Sequence, residues 1–286
     1  MKESNMNNCS NSFNPESKIP AILKVTEWIV ISTGLPLTLV AIFAVYSLVR
    51  KDHVAPVYII NLLISDLLQL CCMAVFLTTQ SDAARFIYFF GLISSIGSMV
   101  CVSLERYLAI TQPLWYRFRR NIKTSVVVCV VVWAIPWIYA LPLYFKANFP
   151  VIVTICGVFL LLPLPLFIFF LVGTIKALSA ARSVPADEKR RIVAILVVLL
   201  FIYMLLFLPS IIWFLAGKHR CNQSFYNVAF TLLIFSPLAD LVMYILIRKS
   251  VMDKFLASLC CCKMSNNPQT SSMSNDSMSA SCNQVV

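Results

Sequence analysis

Residues 191–216 read RIVAILVVLLFIYMLLFLPSIIWFLA, and no charged side chain follows Arg191 in this stretch. A bilayer core about 30 Å thick is crossed by about 20 apolar residues of helix, so the stretch is long enough to span it. Inside hydrocarbon every backbone N–H and C=O must be paired within the segment, which excludes an open strand. The stretch therefore predicts a membrane-spanning α-helix.

Six further apolar runs of similar length accompany this one. The seven runs cover approximately residues 28–49, 56–78, 85–110, 125–145, 149–176, 191–216 and 225–247. Hydrophobic residues make up 60% of the 286-residue chain and charged residues 12%, about half the charged share of a soluble domain, which excludes a water-soluble protein. No short alternating segments suggest a barrel. The predicted fold class is an all-α membrane protein, a seven-transmembrane-helix bundle with a short amphipathic cytoplasmic helix.

Basic residues are distributed unevenly between the two sides of the predicted bundle. Sixteen of the 23 Lys and Arg residues fall on the side of the C-terminus and seven on the other side. Lys and Arg concentrate in cytoplasmic loops, so we expect an extracellular N-terminus and a cytoplasmic C-terminus in a multi-pass plasma-membrane protein. The net charge of +11 then reflects topology and not nucleic-acid binding. No cleaved signal peptide is expected.

The same orientation predicts four regions along the chain. Residues 1–27 form an extracellular N-terminal segment, and residues 28–247 form the seven-transmembrane bundle. Residues 248–262 form an amphipathic juxtamembrane helix because their apolar positions share one helical face. Residues 263–286 form a disordered cytoplasmic tail, since they are too polar to bury a core.

Side chains outside the spans predict covalent modifications. Asn8 and Asn222 begin glycosylation sequons on the predicted extracellular side. Cys9 and Cys221 are the two cysteines of the extracellular segments, where an oxidising compartment favours a disulfide; two free thiols are the alternative. Palmitoylation is predicted after the amphipathic stretch, with an unmodified cluster as the alternative. The cysteines concerned are Cys260, Cys261 and Cys262.

Two aspartates lie inside predicted spans, where an ionised side chain is costly. Asp66 is in the middle of the second span and Asp240 is in the seventh, and neither span has a basic residue at that depth. Such carboxylates face the bundle interior and need partners. Hydroxyls of Ser94 or Ser95 on the third span and of Ser236 on the seventh supply further oxygens, which predicts a Na⁺ site. The alternative is protonated aspartates hydrogen-bonded to neighbouring helices. No other cofactor is expected.

The third span ends in Glu105-Arg106-Tyr107. At the membrane boundary, Glu105 and Arg106 can form a partly desolvated ion pair, which costs more to break than an exposed one. This pattern predicts a latch that can be opened. The alternative is an ordinary arginine that extends its side chain to the interface.

These residues, together with others in chain order, resemble the motifs of rhodopsin-like (class A) G-protein-coupled receptors. The motifs are Asn61 with Ser65-Asp66-Leu67, Glu105-Arg106-Tyr107 with Pro113, Trp133, Phe207-Leu208-Pro209, and Asp240 with Tyr244. The chain resembles one branch of the family in three features, namely aspartate at 240, the Phe-Leu-Pro motif and the outer cysteine pair. This branch holds nucleotide, lipid-mediator, proton-sensing and Mas-related receptors. The resemblance implies an activation switch for G-protein coupling made of Glu105, Arg106, Tyr107, Phe207, Pro209, Asp240 and Tyr244.

The chain also departs from that family's pattern. Thr38 replaces the usual asparagine of the first span, and Ser81 replaces the usual cysteine at the outer end of the third. Leu241 stands where a proline normally kinks the seventh span, and the connection between the second and third spans is short. Lys189 stands where many relatives have an acid that restrains the arginine of the third span. The resemblance therefore implies a divergent member with a weakly restrained resting state.

Within the resemblance, the ligand pocket opens outward between the third, fifth, sixth and seventh spans. The expected ligand-binding residues are Arg85, Tyr88, Phe89, Trp213, Phe214, Lys218 and Phe230. A basic surplus at the mouth would attract an anionic headgroup, and apolar walls suit a lipid tail; a peptide ligand stays open. Tyr88 stands where amine receptors carry an aspartate, which argues against a biogenic amine. The alternative is that these residues are lipid-facing aromatics and rim charges.

The predicted function is transduction of an extracellular ligand to a heterotrimeric G protein. Serines and threonines in the tail predict an arrestin partner once phosphorylated, and membrane lipid is a further expected partner. Two other classes remain. A seven-helix transporter would account for the intramembrane aspartates but not for Glu105-Arg106-Tyr107, and a non-signalling decoy receptor would account for the departures. The serines, histidines and acids form no catalytic constellation, so an enzyme is not expected.

Overall fold

The computed structural model describes residues 21–52, 57–112, 122–138, 149–180, 186–216 and 223–247, and the structural statements below concern these residues. Their regular structure is helical throughout. The helices are α1 (Ala21–Asp52), α2 (Val57–Thr79), α3 (Asp82–Thr111), α4 (Ile122–Ala134), α5 (Phe149–Leu161), α6 (Pro163–Ala180), α7 (Ala186–Leu215), α8 (Gln223–Ile234) and α9 (Ser236–Ile247). The chain divides after Ile247, and residues 248–286 lie outside the described residues.

Described helices lie in each of the seven predicted apolar runs, although only part of the fourth run is described. Five segments are long and apolar enough to cross a bilayer, namely Ala21–Ser47, Val57–Thr79, Asp82–Thr111, Val151–Ala180 and Lys189–Leu215. The pair Ser224–Ile234 and Ser236–Leu246 makes a sixth if the two count as one bent span. The described part of the fourth run is a shorter apolar helix, Thr124–Ile138.

Helix α1 begins earlier than the hydropathy pattern predicts. It begins at Ala21 rather than near residue 28, because the polar residues Lys24, Thr26 and Glu27 dilute the apolar signal without breaking the helix. At 1.5 Å per residue its 32 residues extend about 48 Å, well beyond the ~30 Å hydrocarbon core. Its first turns therefore extend the bundle at the end that we call the outer end, after the predicted orientation.

Proline interrupts three of the predicted runs, and the fourth turns at Ile135, before Pro136. The fifth run turns at Leu162, before Pro163, and the seventh bends by 42° between α8 and α9. Pro237 lacks the N–H that would bind the Leu233 carbonyl in a continuous helix, so the turn falls at Phe235. The seventh run thus bends although Leu241 replaces the proline expected further along.

A two-residue connection joins α2 to α3, which agrees with the short connection expected from the sequence. Gln80 adopts the left-handed conformation, with φ of 50°. Its N–H donates to the Phe76 carbonyl at 2.8 Å and so satisfies one of the free carbonyls at the end of α2. The reversal holds the outer ends of the two helices together.

Helix α3 lies at the centre of the bundle and packs against α2, α4, α6 and α7. The bundle closes because α8 packs against both α1 and α7. Close approach on α3 depends on glycines: a Cβ at Gly97 would lie 2.8 Å from Val132 Cγ1 of α4. A Cβ at Gly91 would lie 2.9 Å from Gln69 Cγ of α2. Small residues at such contacts are how membrane helices pack without a hydrophobic driving force.

Candidate functional site

The two intramembrane aspartates meet at the centre of the bundle. Asp66 of α2 and Asp240 of α9 are both fully buried, and their carboxyl groups are close enough to interact directly. The Ser95 hydroxyl of α3 donates to Asp240 Oδ2 at 2.6 Å. One oxygen of each aspartate, Asp66 Oδ2 and Asp240 Oδ1, is buried without a hydrogen-bond partner. Three helices thus contribute oxygens to one buried polar centre.

Gln69 is a member of this centre that the sequence analysis missed. It is fully buried one turn after Asp66, and its Nε2 lies 3.4 Å from both Asp66 Oδ1 and the Ser65 carbonyl. The Ser236 hydroxyl donates to Gln69 Oε1 at 3.4 Å, so Ser236 reaches the centre through Gln69. The spacing Asp66 to Gln69, on one face of an apolar helix, is the signal that was available.

The oxygens of this centre fit a monovalent cation better than a transition metal. Two carboxylates and hydroxyl groups are hard oxygen ligands. Among the described residues, no group of three or more His, Cys, Asp or Glu side chains could hold a metal ion. Two adjacent carboxylates in a low-dielectric interior repel each other strongly unless a cation or a shared proton lies between them. The unpartnered oxygens Asp66 Oδ2 and Asp240 Oδ1 are the atoms that would take either one.

Near the C-terminal end of α3, Tyr107 packs the Glu105-Arg106-Tyr107 motif against α6. Its ring lies 5.7 Å from that of Phe169 and 5.6 Å from that of Phe170. It fills the space left by Gly173, where a Cβ would lie 2.6 Å from Tyr107 Cε2. Arg106 Nε is buried without a hydrogen-bond partner, and Glu105 lies near Tyr58 of α2.

The predicted switch residues on the sixth span form part of an aromatic stack. Phe207 is fully buried and stacks on Tyr203 with ring centroids 4.8 Å apart, and Tyr203 meets Phe167 of α6 at 5.0 Å. The Tyr203 hydroxyl donates to the Leu160 carbonyl of α5. Tyr203 was not predicted, because an aromatic residue in an apolar run carries no polar signal. Pro209 lies within α7, two residues after Phe207.

The remaining predicted switch residue, Tyr244, is buried in α9. Its hydroxyl has no hydrogen-bond partner in the structure. The motif residues Asn61 and Trp133 do meet, since Trp133 Nε1 donates to Asn61 Oδ1 at 2.8 Å and so ties the second run to the fourth.

Four aromatic residues at the outer end form a cluster, which we call the outer aromatic cluster: Trp213, Phe214, Tyr226 and Phe230. The Trp213 ring lies 5.2 Å from Tyr226 and 5.4 Å from Phe230, and Tyr226 lies 4.3 Å from Phe230. Phe214 completes it at 5.9 Å from Phe230. Three predicted ligand-binding residues are thus brought together, and Tyr226 is an addition.

Tyr88 and Phe89 extend from the third span towards this cluster. The Tyr88 hydroxyl donates to the Leu233 carbonyl at 3.4 Å, which is the carbonyl left free by Pro237. Phe89 packs edge-on against Tyr88 at 5.5 Å. Tyr88 therefore spans from α3 to the bend of the seventh run.

Other predicted ligand-binding positions are placed differently. Arg85 is exposed, and its Nη2 pairs with Asp82 Oδ1 at 2.6 Å. Phe90, which follows Phe89 on the third span, contacts Trp133 and Trp137 of the fourth run at 5.9 and 5.5 Å. Several predicted residues lie outside the described ones. They are Lys218, the disulfide pair Cys9 and Cys221, the sequon residues Asn8 and Asn222, and Cys260, Cys261 and Cys262.

A buried polar centre, an arginine motif at one end and an aromatic cluster at the other define a helical membrane receptor. The family model for the 7 transmembrane receptor (rhodopsin family) matches residues 37–244. The chain therefore belongs to the rhodopsin family of seven-transmembrane receptors. This confirms the predicted seven-helix fold, the multi-pass membrane location and the assignment as a receptor rather than an enzyme.

Individual relatives are similar over part of the chain. The Type-1 angiotensin II receptor of Meriones unguiculatus is 28% identical over 37% of this chain and 33% of its own length. Purinoceptor 3 of Gallus gallus is 29% identical over 50% and 46%. G-protein coupled receptor 55 of Mus musculus is 29% identical over 50% and 48%. The chain thus spans at most about half the length of these relatives. The matches confirm the predicted kinship with the nucleotide-receptor branch and add angiotensin receptors, which were not foreseen.

Proposed function

We propose that this receptor transmits the binding of an extracellular ligand to a heterotrimeric G protein. The observation that carries the proposal is the buried centre in which Ser95, Asp240, Asp66 and Gln69 join three spans. Polar groups at this depth are costly, so a bundle that served only as a scaffold would gain by replacing them. A centre with unsatisfied oxygens is suited to two arrangements of nearly equal free energy, which is what a switch needs.

The proposal includes an orientation and a resting restraint. The sixteen basic residues on the C-terminal side support a cytoplasmic C-terminus at the plasma membrane. Arg106 then lies at the cytoplasmic end of α3. The proposed restraint at rest comes from Glu105, although the structure, which describes both side chains, records no ion pair between them. Lys189 at the start of the sixth span has the same charge as Arg106 and cannot add an acid restraint. The resting state is therefore held by few contacts, and ligand-independent signalling is expected.

Nucleotide exchange on a purified heterotrimeric G protein, reconstituted with the receptor, tests this function. Arg106→Ala should abolish exchange and Glu105→Gln should raise it above the wild-type level. Lys189→Glu should lower it by supplying a partner for Arg106, while the control Lys189→Gln, which removes charge without adding an acid, should have a smaller effect. Exchange that is undetectable in both the wild type and Glu105→Gln, at equal amounts of folded receptor, would contradict the proposal.

We also propose that the buried centre binds Na⁺ in the inactive state. Asp66, Ser95 and Asp240 are supported as ligands by their burial and by the unpartnered oxygens Asp66 Oδ2 and Asp240 Oδ1. Ser236 contributes through Gln69. An ion bound only in the inactive arrangement shifts the population towards it.

Three further partners remain proposals. Arrestin would bind the phosphorylated serines and threonines of the tail, whose added negative charge suits a basic surface. Membrane lipid would occupy the apolar groove of about 480 Å³ between α2 and α4, which has Trp133 and Val57 in its walls. For the ligand, the outer aromatic cluster supports an aromatic or apolar contact. The proposed anionic headgroup rests on basic residues of which Arg85 already pairs with Asp82.

A further inference from the structure

Neither the proposed sodium site nor the activation switch explains an acid at the outer end of the first helix. Glu27 lies in the second turn of α1 and is only 8% exposed. It shares a helical face with Leu23, Val30 and Ile31, which are four residues before it and three and four after it. Those three residues pack in the apolar cluster that contains Tyr88. Glu27 is therefore directed into the bundle and not towards lipid.

The Glu27 carboxylate has an unmet need for a positive partner. Its Oε2 is buried without a hydrogen-bond partner. Lys24, one turn earlier, is near enough to influence it, but the structure records no ion pair between these two described residues. A buried carboxylate that lacks a paired donor or cation is costly, and a cation bound beside it would offset that cost.

Aromatic rings lie near this acid at the outer end of the bundle. Glu27 is close enough to the hydroxyls of Tyr88 and Tyr226 to interact electrostatically with both. The Tyr226 ring is in turn 4.3 Å from Phe230 and 5.2 Å from Trp213. Aromatic faces attract cations, most strongly when water is excluded. A carboxylate beside several such faces is the chemistry that recognises an ammonium or a guanidinium group.

Among the described residues, Arg85 is a further positive charge at this end, and it does not pair with Glu27. Arg85 influences Tyr226, but it is exposed and its guanidinium is paired with Asp82 at 2.6 Å. The pair is close to neutral as a unit. Among the described residues of the outer end, the carboxyl group of Glu27 is therefore the buried acid that a cationic group could approach.

We infer that Glu27, with Tyr88, Tyr226, Phe230 and Trp213, forms a subsite for the cationic group of the receptor's ligand. The inference rests on the proposed function only in placing a ligand at the outer end. Tyr88 stands where amine receptors carry an aspartate, and this argued against an amine ligand. In the proposed subsite the acid comes instead from the first helix, and the third span contributes an aromatic ring. The cationic group belongs either to a small amine or to the free amino group of a peptide.

Thermal unfolding of the purified full-length receptor, without G protein, tests the inference with probes of one shape and different charge. We expect saturating 2-phenylethylamine to raise the melting temperature by about 2 °C or more, and 2-phenylethanol and 3-phenylpropanoate to raise it less. Phenylalaninamide against N-acetylphenylalaninamide makes the same comparison for a peptide amine. A cationic probe that is no better than its neutral partner in both series would overturn the inference.

Variants assign the preference to Glu27. Glu27→Gln should remove the advantage of the amine over the alcohol, and Glu27→Asp should retain part of it. Thr33→Val removes an exposed polar group of the same helix, whose hydroxyl donates only to the Ile29 carbonyl of α1, and should retain all of the advantage. Persistence of the amine advantage in folded Glu27→Gln would refute the assignment. If that variant does not fold, Phe230→Leu decides the matter, since losing a ring face should weaken the amine response more than the alcohol response, and an equal loss would count against the subsite.

The two proposals fail separately. A receptor that prefers amines but does not activate G protein keeps the subsite and loses the proposed signalling. A receptor that signals but shows no charge preference keeps the proposed signalling and loses the subsite.

Discussion

Gly173→Ala tests whether the Tyr107 ring holds the arginine motif in place. The added Cβ would lie 2.6 Å from Tyr107 Cε2 and 3.3 Å from Cδ2. Carbon atoms pack at about 3.5–4.0 Å, so the ring must move by about 1 Å. Overpacking of this kind costs about 1–3 kcal/mol, and alanine returns up to about 1 kcal/mol as the better helix former. The clash dominates, with a net cost near ~1 kcal/mol and a fall in melting temperature of roughly 2–4 °C.

The loss of signalling should exceed what this loss of stability explains. Tyr107 is adjacent to Arg106, and its contacts with Phe169 and Phe170 fix where the end of α3 lies against α6. A shifted ring moves the guanidinium from the place where it meets the G protein. We expect nucleotide exchange to fall several-fold at equal amounts of folded receptor.

Gly97→Ala is the matched control, because its Cβ would meet Val132 Cγ1 at 2.8 Å, away from the motif. It should lower the melting temperature similarly and leave exchange nearly unchanged. In a Tyr107→Leu background, Gly173→Ala should cost less, since the flexible side chain can yield. The reasoning fails if the Gly173→Ala receptor catalyses nucleotide exchange as fast as the wild type does. It also fails if Gly97→Ala lowers the exchange rate as much as Gly173→Ala does.

Three other predictions concern the proposed ion, the orientation and the tail. Replacing N-methyl-D-glucamine chloride by NaCl should raise the melting temperature of the wild type and of Ser98→Ala, whose hydroxyl binds its own helix, but not of Asp66→Asn or Ser95→Ala; an unchanged wild type would remove the ion from the mechanism. An N-terminal epitope should be reachable on intact cells and a C-terminal one only after permeabilisation, and finding both on one side would disprove the orientation. Truncation after Lys263 should slow internalisation, and an unaltered rate in a signalling truncation would exclude the arrestin role.

The two aspartates of the site could be predicted from the sequence because burying a charge is costly. Asp66 and Asp240 stand out in apolar runs, and a carboxylate in hydrocarbon must face a partner, so their meeting at the centre followed from the sequence. The helices were predictable for the same reason, since hydropathy alone sets their approximate bounds. What could not be read was which hydroxyl would reach which carboxylate, because Ser95 and Asp240 are 145 residues apart.

Residues that act through packing or at the edge of a run were missed. Tyr203 is an ordinary member of an apolar run until Phe207 and Phe167 pack against it. Glu27 lies one residue before the predicted first span, whereas α1 begins at Ala21 and includes Glu27 as a buried residue. The bend of the seventh run was displaced because Pro237 acts on the turn that precedes it.

The missed residues connect the two ends of the site. Glu27 interacts with Tyr88, whose hydroxyl lies beside that of Ser236 as well as on the Leu233 carbonyl. Ser236 donates to Gln69, and Gln69 contacts Asp66. A group that binds Glu27 is therefore connected to the proposed ion site through a series of polar contacts. The series runs past the bend of the seventh run, through Tyr88, Ser236, Gln69 and Asp66.

Such a series of contacts transmits a signal only if its members have two discrete arrangements. The bend supplies that condition, because Pro237 frees the Leu233 carbonyl, and the Tyr88 hydroxyl can leave it for Ser236 with little change in the number of hydrogen bonds. Moving that hydroxyl releases or engages Ser236, which changes what Gln69 can donate to Asp66. A ligand at Glu27 and the proposed Na⁺ would then act on one equilibrium, and by reciprocity each would change the affinity for the other by the same factor.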